Sequence, residues 1–522
     1  MKRVISTMLC AALIIGAMSS ITVAFAAKDG VKFSLSTDIH IESTLKELEV
    51  NYPESELYFQ AGGSGNLYDQ APYLTKQFLK NSVKEGVDFI LLAGDLTRNG
   101  NEEQHRFTAK LLSDFEEQSG VQIYVVPGNH DYFNSDRSEF KEYYYKLGYN
   151  NALTVDDATA SYTADVADGY RLIAVDSNDP GEDGDGITPQ LISWIKTQVA
   201  KANEDGRKII YMMHHPLLEH LPLGKVLMKN FMVRNSNILA ELFCRWGIEY
   251  VFTGHEHGND IKSYTSPSGS KVYDVLTTAL SSYPVEYRMV EMNSEGADIK
   301  MCSIDSCDIS SLISGYTAAQ KAMIRSDYEG FTYGLFKYAI EKKILHYTSP
   351  EFIKGKLKAE KGPLADEIDI LFDAVNTALT MPLYDDGGDG VSIEKLAAEK
   401  GVEIPKSDYK SLIELVSTLV AHHYYGNENL PAEENPECEI VVKGLNTGLE
   451  YVLTKCGRSG IILLEKIIGK TTGLNIETLS PVFRSLLIGK ESSYVAVRAT
   501  LYPLLNKFLV DSGNDRDTFL PA

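Results

Sequence analysis

Residues 31–40 read VKFSLSTDIH, residues 88–95 DFILLAGD and residues 122–131 QIYVVPGNHD. Each opens as a short run rich in Val, Ile, Leu, Phe or Tyr and stops at Gly, Asn, Asp or Pro, the mark of a strand entering a turn. Working outward, YRLIAVDS at 170–177, KIIYMMHH at 208–215, EYVFTGHE at 249–256 and KVYDVLTT at 271–278 continue the series. Between them lie helical stretches such as APYLTKQFLKNSVKEG at 71–86 and ITPQLISWIKTQVAKANEDG at 187–206. In the second, Thr188 stands where an N-cap belongs and Pro189 at the first helical position. Strands alternating with helices predict an α/β fold layered around a buried sheet.

After about Asp308 the character changes and apolar residues recur at 3.6-residue spacing. Ile368, Leu371, Phe372, Val375 and Leu379 make one apolar stripe, and Leu412, Leu415, Val416, Leu419 and Val420 another. The expected division is therefore a signal peptide at 1–26, an α/β catalytic domain at 27–308 and an all-α C-terminal domain at 309–522. The signal rests on basic Lys2 and Arg3, an apolar stretch from Met8 to Ala17, and the small-x-small triplet Ala24-Phe25-Ala26. It predicts an exported protein with no transmembrane segment once the signal is removed.

A chain of 522 residues exceeds one ordinary core, in line with two domains. Its net charge of −22 argues against nucleic-acid polymers and anionic membranes as partners. A phosphate substrate stays open, because a bound dication reverses the field inside a pocket. Five cysteines follow the signal, without CxxC spacing, so neither a zinc ribbon nor a dense disulfide framework is expected. Cys302 with Cys307, or Cys438 with Cys456, remain open pairings, since Cα separation cannot be read from sequence.

Eight of the eleven histidines fall between 40 and 257, mostly at strand ends beside carboxylates. Asp38 and His40 close STDIH, Asp95 closes LLAGD, and Asn129, His130 and Asp131 sit in PGNHD. His214 and His215 close MMHHP, and His255 and His257 belong to TGHEH. Open α/β sheets bind ligands at the carboxyl ends of their strands. Carboxylate, imidazole and amide donors without thiolate favour hydrolytic Mn, Fe or Zn. Two such ions about 3.5–4 Å apart clamp the attacking and leaving oxygens at phosphorus and make a bridging hydroxide available near neutral pH. Asp95 is the candidate shared carboxylate, His130 the candidate acid for the leaving group, and Asp131 the residue expected to orient its ring.

The ordered set D-x-H, G-D, G-N-H-D, H and G-H-x-H resembles the calcineurin-like metallophosphoesterases over about 31–300. That resemblance implies a layered β-sandwich flanked by helices (α/β/β/α). It also implies one ion held by Asp38, His40, Asp95 and His257, a second by Asp95, Asn129, His214 and His255, and His130 as catalytic histidine. His214 is preferred over His215 because it fits the family's H-x-P pattern. Arg98 stands three residues after the G-D aspartate, where purple acid phosphatases carry a tyrosine ligand, so an iron–tyrosinate site is not expected. GNHDYFN likewise departs from the GNHEFD of 5′-nucleotidases. The pattern is more similar to bacterial cyclic-nucleotide phosphodiesterases, especially those with a helical C-terminal domain.

The expected activity is hydrolysis of a small phosphodiester, with 3′,5′-cyclic nucleotides as candidates. The alternatives are a broad phosphomonoesterase and a binding protein with a vestigial site. No partner for the helical domain is indicated. Asp176 reads as structural, Asn99 and His105 as loop residues, and His220 as a candidate pocket rim. His422 and His423 continue an apolar helical stripe. The acidic loops at 182–186 and 385–390 lack the glutamate of an EF-hand and read as solvated.

Overall fold

The structure, a computed structural model, describes residues 30–42, 65–178, 186–221, 231–307, 316–388, 390–426, 431–472, 482–483, 485–486, 490–510 and 515–522. The signal segment at 1–26 and most of the acidic loop at 182–186 lie outside the described residues.

The quoted runs become strands. β1 (Val31–Ser36), β2 (Phe89–Leu92) and β3 (Gln122–Val125) pair in parallel. They form one six-stranded sheet with β11 (Glu286–Met292), β12 (Gly296–Ser303) and β13 (Thr518–Pro521). A second, seven-stranded sheet runs β4 (Thr154–Val155), β5 (Tyr162–Ala167), β6 (Tyr170–Val175), β7 (Lys208–Met213), β8 (Tyr250–Thr253), β10 (Lys271–Leu276) and β9 (Asp260–Thr265). In it β6, β7, β8 and β10 are parallel.

Side-chain parity sets the layers. Leu172, Ala174, Ile210, Met212, Tyr250 and Phe252 of the second sheet pack with Phe33 and Leu35 of the first. Ile173, Val175, Ile209, Tyr211 and Met213 form a separate core with α4 (Pro189–Glu204) and α5 (Ser236–Trp246). Alternate residues of a strand face opposite ways, so a strand buried on both faces reads as the continuous apolar run seen in the sequence. Phe33 spans the interior, edge-on to Phe252 with ring centroids 5.4 Å apart. α1 (Ala71–Lys84) and α2 (Glu102–Ser119) cover the outside of the first sheet, completing the α/β/β/α order. Thr188 caps α4 as expected, accepting from the Leu191 amide at 3.2 Å.

Beyond residue 308 the described elements are helical until the last strand. Ile368, Leu371 and Phe372 of α9 (Pro363–Thr380) and Leu412, Leu415 and Leu419 of α11 (Leu412–Tyr425) share a core of their own with the long α12 (Pro436–Thr472). Two features cross the change in character. α6 (Ala318–Ser326) and α7 (Tyr328–Tyr347) give Ile324, Tyr328, Phe331 and Leu335 to the sheet core, and Tyr316 Oη donates to buried Asp69 at 2.6 Å. The chain then returns as β13 on the edge of the first sheet, antiparallel to β12. That strand was not foreseen: it is four residues long and contains Pro521, which only an edge position tolerates. Gly296 opposes it, where a Cβ would fall 2.2 Å from the Leu520 carbonyl.

Among the described residues no helix is long and apolar enough to cross a membrane. Neither Cys302–Cys307 nor Cys438–Cys456 is bridged. Asp385 of the second acidic loop is ion-paired with Lys395 at 2.9 Å.

Candidate metal centre

All seven proposed ligands lie past the carboxyl ends of parallel strands, three loops from one sheet and two from the other. Short backbone bonds hold those loops together. Asp38 N donates to Gly94 O and His40 N to Asp95 O, both at 3.0 Å, and Gly254 N donates to His214 O at 2.9 Å. A parallel bridge between Thr37 and Ala279 stitches the first sheet to the second.

The motif glycines exist because the backbone passes against the ligands themselves. A Cβ on Gly94 would lie 2.6 Å from His214 Nδ1, one on Gly128 would lie 2.1 Å from Asp95 Oδ1, and one on Gly254 would lie 2.6 Å from Asp38 Oδ2. The ligands bear the complementary strain. Asp38, His40, Asp95, His255 and His257 all have positive φ, between 44° and 74°, a region costly for residues with a Cβ.

Asp95 is central. Its Oδ1 accepts from the His130 amide at 2.9 Å. Its Oδ2 lies 3.7 Å from His40 Nε2 and 3.4 Å from His214 Nε2. On one side Asp38 Oδ1 is 3.6 Å from His40 Nε2 and 3.1 Å from His257 Nε2. On the other, His214 Nε2 and His255 Nδ1 approach to 3.1 Å. Asp38–His40–His257 and Asp38–Asp95–His214 are each trios whose donor atoms fall within 4.8 Å of one another.

The donors fit a pair of cations. Asn129 Oδ1 and His255 Nε2 are buried atoms without a hydrogen-bond partner, a condition that costs about 1–3 kcal/mol per group and that coordination relieves. His214 Nδ1 donates to the Ala93 carbonyl at 2.8 Å, which fixes its tautomer and turns Nε2 toward Asp95. Burial works to raise Asp38, but His257 and His214 outweigh it and hold the carboxyl at about 2. Burial drives His40 down to about 3, keeping that imidazole neutral, as coordination requires. For His214 burial is outweighed by Asp95 and then Asp38, which carry it up to about 10. A cation must displace that proton.

His214 and His215 point to different partners. His215 Nδ1 is engaged by Ser177 Oγ at 2.8 Å, and its ring packs on His255 with centroids 4.4 Å apart. It still completes a trio with His214 and His255, a proximity the sequence did not suggest.

His130 is half-buried, with Nε2 4.0 Å from Asp95 Oδ2. The expectation that Asp131 orients this ring is corrected. The Arg98 carbonyl holds His130 Nδ1 at 2.6 Å. The buried Asp131 carboxylate instead accepts from the amides of Leu96, Thr97 and Gly128 and from Thr97 Oγ1, at 2.8 to 3.1 Å. Adjacent side chains of a tight turn point apart, so Asp131 ties the G-D turn to the G-N-H-D turn from behind. The Arg98 side chain is occupied by Glu42 and by the Tyr68 ring, 4.0 Å beneath it.

His105 proves to be a second support, with Nε2 3.0 Å from the Asp131 carbonyl. Asp176 is structural, as read, accepting from Tyr132 Oη and Arg137 Nε. His220 is no pocket rim. It is buried between Asp260 and Asp274, at 2.9 and 3.0 Å. Two rings the sequence reading passed over flank the site: Phe133 lies 4.5 Å from His130 and Phe231 4.7 Å from His255, centroid to centroid.

The family model described as calcineurin-like phosphoesterase matches residues 31–259. A probable glycerophosphodiester phosphodiesterase GpdQ from Arcobacter nitrofigilis is 25% identical over 226 residues, 41% of this chain and 75% of that protein. A probable cyclic nucleotide phosphodiesterase from Rhodococcus erythropolis is 27% identical over 37% of this chain and 60% of its own length. The chain thus spans three quarters of the first relative and three fifths of the second. A dimetal phosphatase from Danio rerio, known by crystal structure, aligns with a TM-score of 0.39 at 13% identity, covering 52% of this chain and 96% of that one.

Proposed function

We propose that the protein is an exported, two-metal phosphodiesterase acting on small phosphodiesters, a reading supported by the match of residues 31–259 to the calcineurin-like phosphoesterase family model. The observation that carries the reading is Asp95 Oδ2, lying between His40 and His214 with a donor trio on either side. Asp38, His40, Asp95 and His257 would hold one divalent ion, and Asp95, Asn129, His214 and His255 the other. When bound, such ions supply positive charge that activates water and neutralises the phosphoryl oxygens.

The chain's own residues do the rest. The Arg98 carbonyl keeps the His130 proton on Nδ1 and leaves Nε2 facing the site, where a protonated ring can deliver a proton to the departing oxygen. Asp131 and His105 hold the turns that set this distance. Phe133, 56% exposed beside His130, offers a flat apolar face where the leaving group departs. Such a face suits an aromatic substituent such as a nucleobase, which favours the cyclic-nucleotide name among the relatives over the glycerol one. A vestigial binding site would have lost at least one donor, and the whole set is present. Export rests on residues 1–26 alone.

The test is hydrolysis of bis-p-nitrophenyl phosphate against p-nitrophenyl phosphate by Mn²⁺-loaded protein. The reading expects the diester to be the better substrate. A preference for the monoester would make this a phosphatase, and no turnover of either would favour a binding protein.

A further inference from the structure

The loop bearing His255 and His257 is anchored differently at its two ends. At the His255 end the anchors belong to the two sheets: the His255 amide donates to Asp38 Oδ2 at 2.9 Å, and Gly254 N donates to His214 O. At the His257 end the bonds lead away from the centre. The His257 carbonyl accepts from Thr278 Oγ1 at 2.6 Å, and the Thr278 amide donates to Asn259 Oδ1 at 3.1 Å. Asn259 Nδ2 donates to Glu286 Oε2 at 3.0 Å, and both residues are buried.

The far half of this network comes from beyond residue 400. The Asn259 amide donates to the Tyr424 carbonyl, at the end of α11, at 3.1 Å. Glu286 is gripped by both terminal nitrogens of Arg516, one of them at 2.8 Å. Arg516 also donates to the Tyr425 carbonyl at 2.9 Å and lies 3.8 Å from the Tyr425 ring centroid. A Cβ on Gly426 would fall 2.4 Å from the Asn259 carbonyl, so helix end and ligand loop are in direct backbone contact.

A buried, satisfied polar network has one low-energy arrangement, and a buried carboxylate that loses its cation does not keep that arrangement. His257 has a left-handed backbone, uncommon for any residue with a Cβ, and this network braces the turn that holds it. We infer that the helical region and C-terminal tail are a positioning device for the metal centre, with Arg516 and Asn259 setting the His257 end of the ligand loop. Resting on the two-metal reading, this assigns the region beyond 309 a role at one ion. The ion held by Asp38, His40 and His257 depends on the tail, whereas the ion held by Asn129, His214 and His255 does not.

The experiment is a calorimetric Mn²⁺ titration of the full-length chain, with the electron paramagnetic resonance of the coupled Mn²⁺ pair as a second readout. Wild type should take up two ions and show the coupled signal. Arg516→Ala and Asn259→Ala should each weaken one site at least tenfold, leave the other unchanged and lose the coupled signal. Arg516→Lys should restore part of the affinity. Lys354→Ala, which breaks an ion pair to Asp369 inside the helical region, should match wild type. If Arg516→Ala fails to fold, Asn259→Ala carries the test alone. Unchanged affinity in the folded variants, or equal weakening of both sites, overturns the inference while leaving the two-metal reading intact. Uptake of fewer than two ions by wild type overturns that reading and the inference together.

Discussion

The two halves differ in which residues they place in the left-handed region of backbone space. Past residue 315 positive φ falls on glycines such as Gly401, Gly426 and Gly457, with Lys358 the exception among described residues. In the sheet half glycines such as Gly94 and Gly296 adopt it too, but so do Asp38, His40, Asp95, His255 and His257, together with Asn235 and Val285. The helical half places glycine where geometry demands it and so carries little strain. The sheet half places five proposed ligands where glycine would be easier, at roughly 1–2 kcal/mol per residue. Strain concentrated at one set of turns is a sign of function, because packing alone gives no reason to keep it.

The largest effect should come from the ligands. Asn129→Ala removes an unpartnered buried oxygen and should lower kcat on the order of 10³-fold if both ions are needed. Steady-state kinetics with saturating Mn²⁺ would show this, and a loss under tenfold would break the contrast.

Next come paired glycine substitutions, one in each half. Gly128→Ala drives a Cβ to 2.1 Å from Asp95 Oδ1, so metal uptake and activity should both collapse. Gly401→Ala is the converse case, a backbone φ of 73° with no atom within 4 Å of the added Cβ. It should cost only about 1 kcal/mol in urea denaturation and leave kcat unchanged.

A smaller effect concerns pH. Burial opposes charge on His220, but Asp274 and Asp260 carry it up to about 10. A folded pKa raised above the unfolded value contributes stability that is complete below about 6.5 and is lost as pH climbs toward about 10. The melting temperature of wild type should therefore fall between about pH 7 and about pH 10. His220→Gln should melt lower at neutral pH and show a flatter decline, so parallel curves would contradict the assignment.

The smallest is Phe133→Ala. Loss of one stacking face should raise KM for bis-p-nitrophenyl phosphate about 2–10-fold with little change in kcat. KM for a dialkyl phosphodiester should not move. Equal effects on both would remove the argument for an aromatic substituent.

The sheet half was legible because its information is local. Each ligand turn is a few residues long, follows its own strand and ends in residue types that have no reason to cluster there. The strands' continuous apolar runs likewise announced burial on both faces. What stayed hidden was relational. Asp131 stands beside His130 in sequence yet points away from it, a matter of turn geometry that residue types do not encode. The positive φ of Asp38 or His257 leaves no trace in composition. β13 is too short to stand out, and it pairs with β12 across more than two hundred residues. The link from Asn259 through Glu286 to Arg516 is longer still, and each of the three alone reads as an ordinary polar residue. The change in character near 308 therefore marked a change in secondary structure, while Phe331 and Leu520 pack into the sheet core from beyond it.

Crystals grown with Mn²⁺ and measured at the manganese absorption edge address the centre itself. Two anomalous peaks about 3.5–4 Å apart are expected on either side of Asp95 Oδ2, one among Asp38, His40 and His257 and the other among Asn129, His214 and His255. A single peak, or a second ion outside these side chains, would contradict the account.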